Sequence, residues 1–314
     1  MSALAASHPT LLDLAKRLDP DGKIDVIAEI LTQENPILED LSFVEGNLPT
    51  GHRTTIRTGL PTPTWRKLYG GVQPTKSNTA QVTDSCGMLE AYAEVDKALA
   101  DLNGNTAAFR LSEDRAHIEG MAQELASTII YGNEGDQPEA FTGLAPRYNS
   151  LSAANADNIV SAGGSGSDNT SIWLVVWGDQ TLHGIYPKGS RAGLDMQDKG
   201  QVTIENVDGS GGRMEAYRTH YRHDCGLTVR DWRFAARVCN IAVSALTSDG
   251  TAADRAAAQK ALITFMVQAS ERIPILSKGR AVWYVNRTIR EQLRLGILER
   301  LAGNLAWETF SGKR

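Results

Sequence analysis

His220, His223 and Cys225 are the side chains best suited to hold a metal ion, because imidazole and thiolate are both good zinc ligands. On an extended strand His223 and Cys225 would share one face while His220 lies on the other. A structural zinc site also needs a fourth ligand, for which Cys239 and His183 are possible donors from elsewhere in the chain. The reading is therefore histidines at a sheet surface and no metal. Asp208-Gly209-Ser210-Gly211-Gly212 has the serine and glycines of a nucleophile loop, but Gly and Asp stand in the wrong order and the flanks alternate like strands, so a hairpin turn is expected. Gly163-Gly164-Ser165-Gly166 is too short for a dinucleotide fingerprint, since the third glycine would fall at Asp168 and a strand follows where a helix should open. Asp96, Asp101, Glu113 and Asp114 are dense enough along helices to mark a solvated face rather than a pair of catalytic acids. Nothing supplies nucleophile, base and orienting group together, so neither a catalytic residue nor a cofactor is expected.

The elements around these residues are mixed helix and strand. Ser112 is placed to cap a helix over residues 113–131, with Ile118, Met121, Leu125 and Ile129 as one apolar stripe and Gly132-Asn133 ending it. Residues 143–170 read as a loop. Strands follow at 172–177, 182–186, 201–207, 213–222 and 227–241, an order that favours an antiparallel meander. Thr251 and Asp254 resemble a capping arrangement for a helix bearing Leu262, Phe265, Met266, Ala269 and Ile273, which Pro274 ends. A short strand at 281–285 precedes a second helix, capped by Asn286, with Ile289, Leu293, Ile297 and Leu301 at four-residue spacing.

One stretch does not read as part of a compact domain. Between Gly51 and Ser85 stand Arg53, Arg57, Arg66, Lys67 and Lys76 against the single acid Asp84, a local excess of four positive charges in a chain whose net charge is −5. The first 45 residues carry an excess of six negative charges, Glu39, Asp40 and Glu45 among them. Arg53, Thr55 and Arg57 alternate with Thr54, Ile56 and Thr58, and residues 79–83 alternate likewise, while Leu60-Pro61-Thr62-Pro63-Thr64-Trp65 reads as a turn. A ribbon with arms of roughly 12 residues is marginal in water unless something covers it, which implies a partner surface. Trp65 reads either as an aromatic anchor at the tip or as packing locally on Leu68 and Tyr69.

Composition sets outer bounds. With 314 residues, 41% of them hydrophobic, two domains with ordinary cores are expected. The longest clear apolar run, residues 172–177, is far short of the ~18 residues of a membrane span. The first eight residues lack the basic start and apolar stretch of a signal peptide. Cys86, Cys225 and Cys239 are an odd number at no framework spacing, which points to reduced thiols in a cytosolic setting. The negative net charge argues against a dedicated nucleic-acid binder.

Gly59-Leu60-Pro61, Trp65-Arg66-Lys67, Gly71-Val72-Gln73-Pro74-Thr75-Lys76-Ser77 and Gly87-Met88-Leu89-Glu90-Ala91 resemble the major capsid protein of short-tailed, double-stranded DNA phages. The likeness continues at Ile172-Trp173-Leu174-Val175-Val176-Trp177-Gly178, at His183-Gly184-Ile185-Tyr186-Pro187-Lys188-Gly189 and at Gly226-Leu227-Thr228-Val229-Arg230-Asp231-Trp232-Arg233. It implies an α+β, Hong Kong 97-like fold: an N-terminal arm (residues 1–50), an extended β-hairpin loop (51–86), a peripheral domain with a spine helix near 113–131 and an antiparallel sheet (87–245), and an axial domain (246–314). It further implies a structural protein, not an enzyme, that assembles in the bacterial host cytoplasm into hexamers and pentamers of an icosahedral shell. The partners would be copies of itself, scaffolding protein, portal, a decoration or cement protein, and packaged double-stranded DNA held by weak non-specific contacts, with no membrane. Arg53, Arg57, Trp65, Arg66, Lys67 and Lys76 would lie over a neighbouring subunit, against acids such as Glu39, Asp40 and Glu45. A decoration or tail protein, or an oligomeric enzyme with a domain-swapped loop, are the alternatives. The family pattern runs into a further strand beyond Trp307-Glu308-Thr309-Phe310, and that strand has no counterpart before Arg314.

Overall fold

The computed structural model describes residues 35–102, 106–205, 211–247 and 252–303. Most of the expected N-terminal arm, the Asp208-Gly209-Ser210 turn, the Thr251–Asp254 capping pair and the chain beyond Gly303 lie outside the described residues or side chains. Among the described residues there are ten strands, joined in one sheet system. They are β1 (Phe43–Glu45), β2 (Gly51–Gly59), β3 (Asn78–Asp96), β4 (Ile159–Ser161), β5 (Asn169–Trp177), β6 (Leu182–Tyr186), β7 (Asp195–Glu205), β8 (Arg213–Val229), β9 (Ala235–Ala242) and β10 (Arg280–Tyr284).

The central strand is β5, whose Ile172, Trp173, Leu174, Val175, Val176 and Trp177 are all buried. An unbroken apolar run belongs in a strand covered on both faces. Its Trp173, Leu174 and Val175 pair with β9 along one edge and with β10 along the other. Most pairings are antiparallel, as the run of strands suggests, but β1–β6, β4–β9 and β5–β6 are parallel. The expected strand over 227–241 is instead two: β8 ends at Val229, and Asp231 turns the chain by accepting from the Arg233 N–H before β9 begins.

Helix α1 spans Thr106–Tyr131, starting six residues before the expected cap Ser112. Ser112 lies inside it because Phe109, 1% exposed, carries the apolar stripe further toward the N-terminus. At 1.5 Å per residue its 26 residues run about 39 Å. Met121, Leu125 and Ile129 are buried as expected, while Ile118 is 39% exposed. Gly132 ends the helix where the chain passes close to itself: a Cβ there would stand 2.5 Å from the Phe141 carbonyl oxygen.

Among the described residues the C-terminal elements share the core of the sheet. Leu262 and Ala269 of α2 (Ala252–Glu271), Ile273 just beyond its end, and Ile289 of α3 (Arg287–Gly303) belong to the same buried cluster as Leu174 and Val175. Asn286 caps α3, its Oδ1 accepting from the Ile289 N–H at 2.8 Å. Among the described residues no helix is long and apolar enough to cross a membrane.

Candidate assembly surface

The basic stretch forms a ribbon that leaves the body of the protein. β2 pairs with the first part of β3 from Gly51↔Ser85 to Gly59↔Asn78. The nine residues of β2 span roughly 30 Å at about 3.3 Å each, shorter than the expected arms of roughly 12. Residues 60–77 make no strand, and a turn closed by the Gly70 N–H on the Lys67 carbonyl at 3.0 Å marks the tip. Trp65 and Tyr69 are each 102% exposed, and Leu60 and Leu68 are largely exposed as well. Trp65 therefore does not pack on Leu68 or Tyr69. Tyr69 holds a left-handed φ of 63°, a conformation that bulky residues seldom keep without a reason.

The base of the ribbon is as tightly held as its tip is bare. Asp84, whose side chain is 2% exposed, accepts from Arg147 Nη1 at 2.7 Å and from Thr228 Oγ1 at 2.5 Å. Arg147 also donates to the carbonyls of Thr142 and Leu227. Two distant segments thus converge on the one acid of the basic stretch, and charge-assisted bonds of this kind fix direction as well as position. Beside it Gly51 runs so close to β3 that a Cβ would fall 2.0 Å from the Asp84 carbonyl oxygen. His52 and His183 meet edge to face, with ring centroids 6.2 Å apart. Burial pushes both imidazoles below their ordinary pKa, with Arg230 adding to the effect on each.

Arg53, Arg57, Arg66, Lys67 and Lys76 are exposed, and none makes an ion pair among the described residues. Glu39 and Glu45 are exposed acids, Glu45 accepting from the Gly189 N–H at 2.9 Å. Asp40 requires a correction. It is buried, it pairs with Arg280 at 2.6 Å and it accepts from the Tyr284 hydroxyl at 2.7 Å, so its carboxylate is committed within its own subunit.

The residues considered for a metal are held apart. His220 lies 3.2 Å from Glu90 and stacks on Tyr92, whereas His223 sits edge to face against Phe43. Among the described residues no three His, Cys, Asp or Glu side chains come together as metal ligands. Burial pushes the Cys225 thiol up to about 12 and the Cys86 thiol up to about 11, which makes both poor nucleophiles at neutral pH. The strand acids Glu90 and Glu94 face Arg222 and Arg218 across the β3–β8 ladder, a charged sheet surface of the ordinary kind.

The ribbon leaves a sheet flanked by the long helix α1. The family model for the major capsid protein GP7 matches residues 19–314. The chain belongs to that family. No curated protein matches it. The bacteriophage Epsilon15 structure is 41% identical in sequence and superposes with a TM-score of 0.75, over 95% of this chain and 88% of that one. The holo-SrpI encapsulin complex of Synechococcus elongatus PCC 7942 is 13% identical, with a TM-score of 0.46 over 77% of this chain and 99% of the other. The capsid of a native GTA particle is 12% identical, with a TM-score of 0.49 over 76% and 98%. This capsid protein has the Hong Kong 97-like α+β fold and is a structural component of a phage virion, self-assembling into its icosahedral shell.

Asp84, Arg147 and Thr228 are the residues that sequence reasoning passed over. The available signal was Asp84 itself, a lone acid in a basic stretch. Arg147 and Thr228 are remote in sequence and carry no mark of their own.

Proposed function

We propose that this capsid protein closes its shell by laying the basic ribbon across a neighbouring subunit in hexameric and pentameric rings. The observation that carries this reading is the contrast along the ribbon. Its base is locked by a buried ion pair, while its tip displays Trp65 and Tyr69 with no cover from their own chain. Large aromatics in the open are unfavourable in an isolated subunit and become anchors once a second surface desolvates them. Arg53, Arg57, Arg66, Lys67 and Lys76 then face acids of the neighbour, with Glu39 and Glu45 the exposed candidates. Each exposed pair contributes only about 0 to 1 kcal/mol, so the contacts act through repetition around closed rings.

The protein on this reading has no catalytic role. Scaffolding protein and portal direct its assembly, and a decoration or cement protein is a further partner of the finished shell. Double-stranded DNA fills that shell and meets its wall through weak, non-specific contacts. A net charge of −5 suits a container whose contents must enter and leave, since a strongly cationic wall would hold phosphates tightly. Electron microscopy of the purified protein, alone and with co-expressed scaffolding protein, tests the reading. Rings or closed shells are expected in at least the co-expressed sample. A folded subunit that forms neither in both samples would overturn it.

A further inference from the structure

Charge is divided unevenly along the chain. Residues 246–314 carry eleven Lys and Arg against six Asp and Glu, a net of +5, so the residues before them hold −10 within a total of −5. An asymmetry of this size within one chain points to a basic unit that meets an anionic partner.

Part of that excess is gathered on one face of α3. Ile289 is fully buried, Gln292 is buried and accepts from Gln259 Nε2 at 3.3 Å, and a Cβ at Gly296 would stand 2.9 Å from the Gln259 side chain. These three residues fix one side of the helix against α2 and the core. At 3.6 residues per turn, Arg287, Arg290 and Arg294 fall within about 60° of one another on the opposite side. All three are exposed, and none makes an ion pair among the described residues. No acid stands in the first turn of α3, an end at which the helix dipole disfavours cations. The three charges thus repel one another in the isolated subunit and are relieved when an anion arrives.

The stripe suits a phosphate backbone in length and in chemistry. Arg287 to Arg294 spans about 10.5 Å at 1.5 Å per residue, a length over which one strand of B-DNA presents about three phosphates at 3.4 Å each. The guanidinium fork matches phosphate oxygens in pairs. The stripe is arginine throughout, with no aromatic to stack on a base, so it holds the backbone without reading sequence.

We infer that the Arg287, Arg290 and Arg294 face of α3 is where this capsid protein meets the phosphates of packaged double-stranded DNA. The inference rests on the shell-building reading and assigns to one face a contact which that reading leaves spread over the wall. Three cations per subunit, on a chain of net −5, give a contact that is local and weakened by salt, so the DNA stays free to enter and leave.

Duplex binding by the purified, unassembled full chain is the test, with the anisotropy of a short fluorescent DNA duplex followed across a salt series. Arg287→Gln, Arg290→Gln and Arg294→Gln together should weaken binding at least tenfold at low salt and lower the slope of log affinity against log salt by about 2 to 3. Arg290→Gln alone should lower that slope by about 1. Lys188→Gln, Arg191→Gln and Lys199→Gln remove the same charge from exposed positions elsewhere and should leave affinity within twofold of the parent. A parent that binds no duplex, an equal loss in that control, or parental binding by the α3 variant would each overturn the inference. Parental duplex binding joined to loss of co-purifying scaffolding protein would assign the stripe to an acidic protein and overturn it as well. Electron microscopy of the same preparations, with scaffolding protein co-expressed, keeps the two readings apart. Parental shells beside unchanged duplex binding by the α3 variant would leave the shell-building reading standing, and a parent that forms neither rings nor shells would overturn both.

Discussion

Asp84 and Arg147 form a 2.7 Å ion pair at the point where the ribbon departs, one on β3 and the other on a short helical turn 63 residues later in the chain. The carboxylate is almost wholly buried and Thr228 holds its second oxygen. Such a pair is costly to break because the surviving partner is left charged and unmatched.

Replacing Arg147 by Met is therefore expected to destabilise the subunit by about 3 to 5 kcal/mol, read by chemical denaturation. Asp84→Asn keeps the Thr228 contact and removes the charge, so it should cost less. A loss below 1 kcal/mol for Arg147→Met would mean that the ribbon base is held by other contacts.

Trp65→Ala and Tyr69→Ala should separate assembly from folding. Neither side chain touches its own chain, so unfolding midpoints should stay within about 0.5 kcal/mol of the parent, as is usual for exposed positions. Assembly yield, measured by sedimentation, should fall for both. Full yield from the double variant would remove the aromatics from the interface.

The acids divide into two classes that substitution can distinguish. Asp40→Asn removes the partner of Arg280 and should weaken the folded subunit by about 1 to 3 kcal/mol. Glu39→Lys should leave its unfolding unchanged and lower assembly, and Glu45→Lys, which also gives up the Gly189 N–H bond, should lower assembly with a loss of only about 1 kcal/mol in folding. Thermal unfolding and sedimentation on the same preparations check both halves of the statement.

Acid should loosen the ribbon base. His52 and His183 have lowered pKa values in the folded state, chiefly through burial, with Arg230 acting in the same direction and Asp84, Asp179 and the Gly178 carbonyl against it. The unfolded chain therefore takes up protons first, and stability should be flat above about pH 6.5 and fall as pH drops through the folded pKa values. His223, lowered by burial and opposed by Asp224, contributes with the same sign. His52→Asn with His183→Asn should flatten the profile of unfolding free energy between pH 7 and 5. An unchanged slope in that variant would place the titration elsewhere.

Much of this architecture was legible in the sequence because it rests on local patterns. The unbroken run from Ile172 to Trp177 marks a strand covered on both faces, and the spacing of Met121, Leu125 and Ile129 marks the long helix. The ribbon announced itself through Thr alternation and through a charge balance opposite to that of the chain. What stayed hidden depends on non-local contact. No pattern in residues 281–285 says that this strand joins β5, and nothing near Asp40 says that Arg280 claims it. The helix start was misplaced at Ser112 because a capping residue type also occurs inside helices, and only the burial of Phe109 reveals where the apolar face begins. For the interface, side-chain type and charge pointed to the ribbon as a whole, but the exposure of Trp65 needed coordinates.

On the proposed function, the ribbon beyond its locked base builds the shell. Replacing residues 60–77 by an Asn-Gly turn that joins Gly59 to Asn78 removes the tip and keeps the Asp84–Arg147 base. Electron microscopy of that variant, purified beside the parent under conditions in which the parent forms shells, is the direct measurement. A folded subunit that forms no closed shells is the predicted result, and shells of parental size and yield would contradict it.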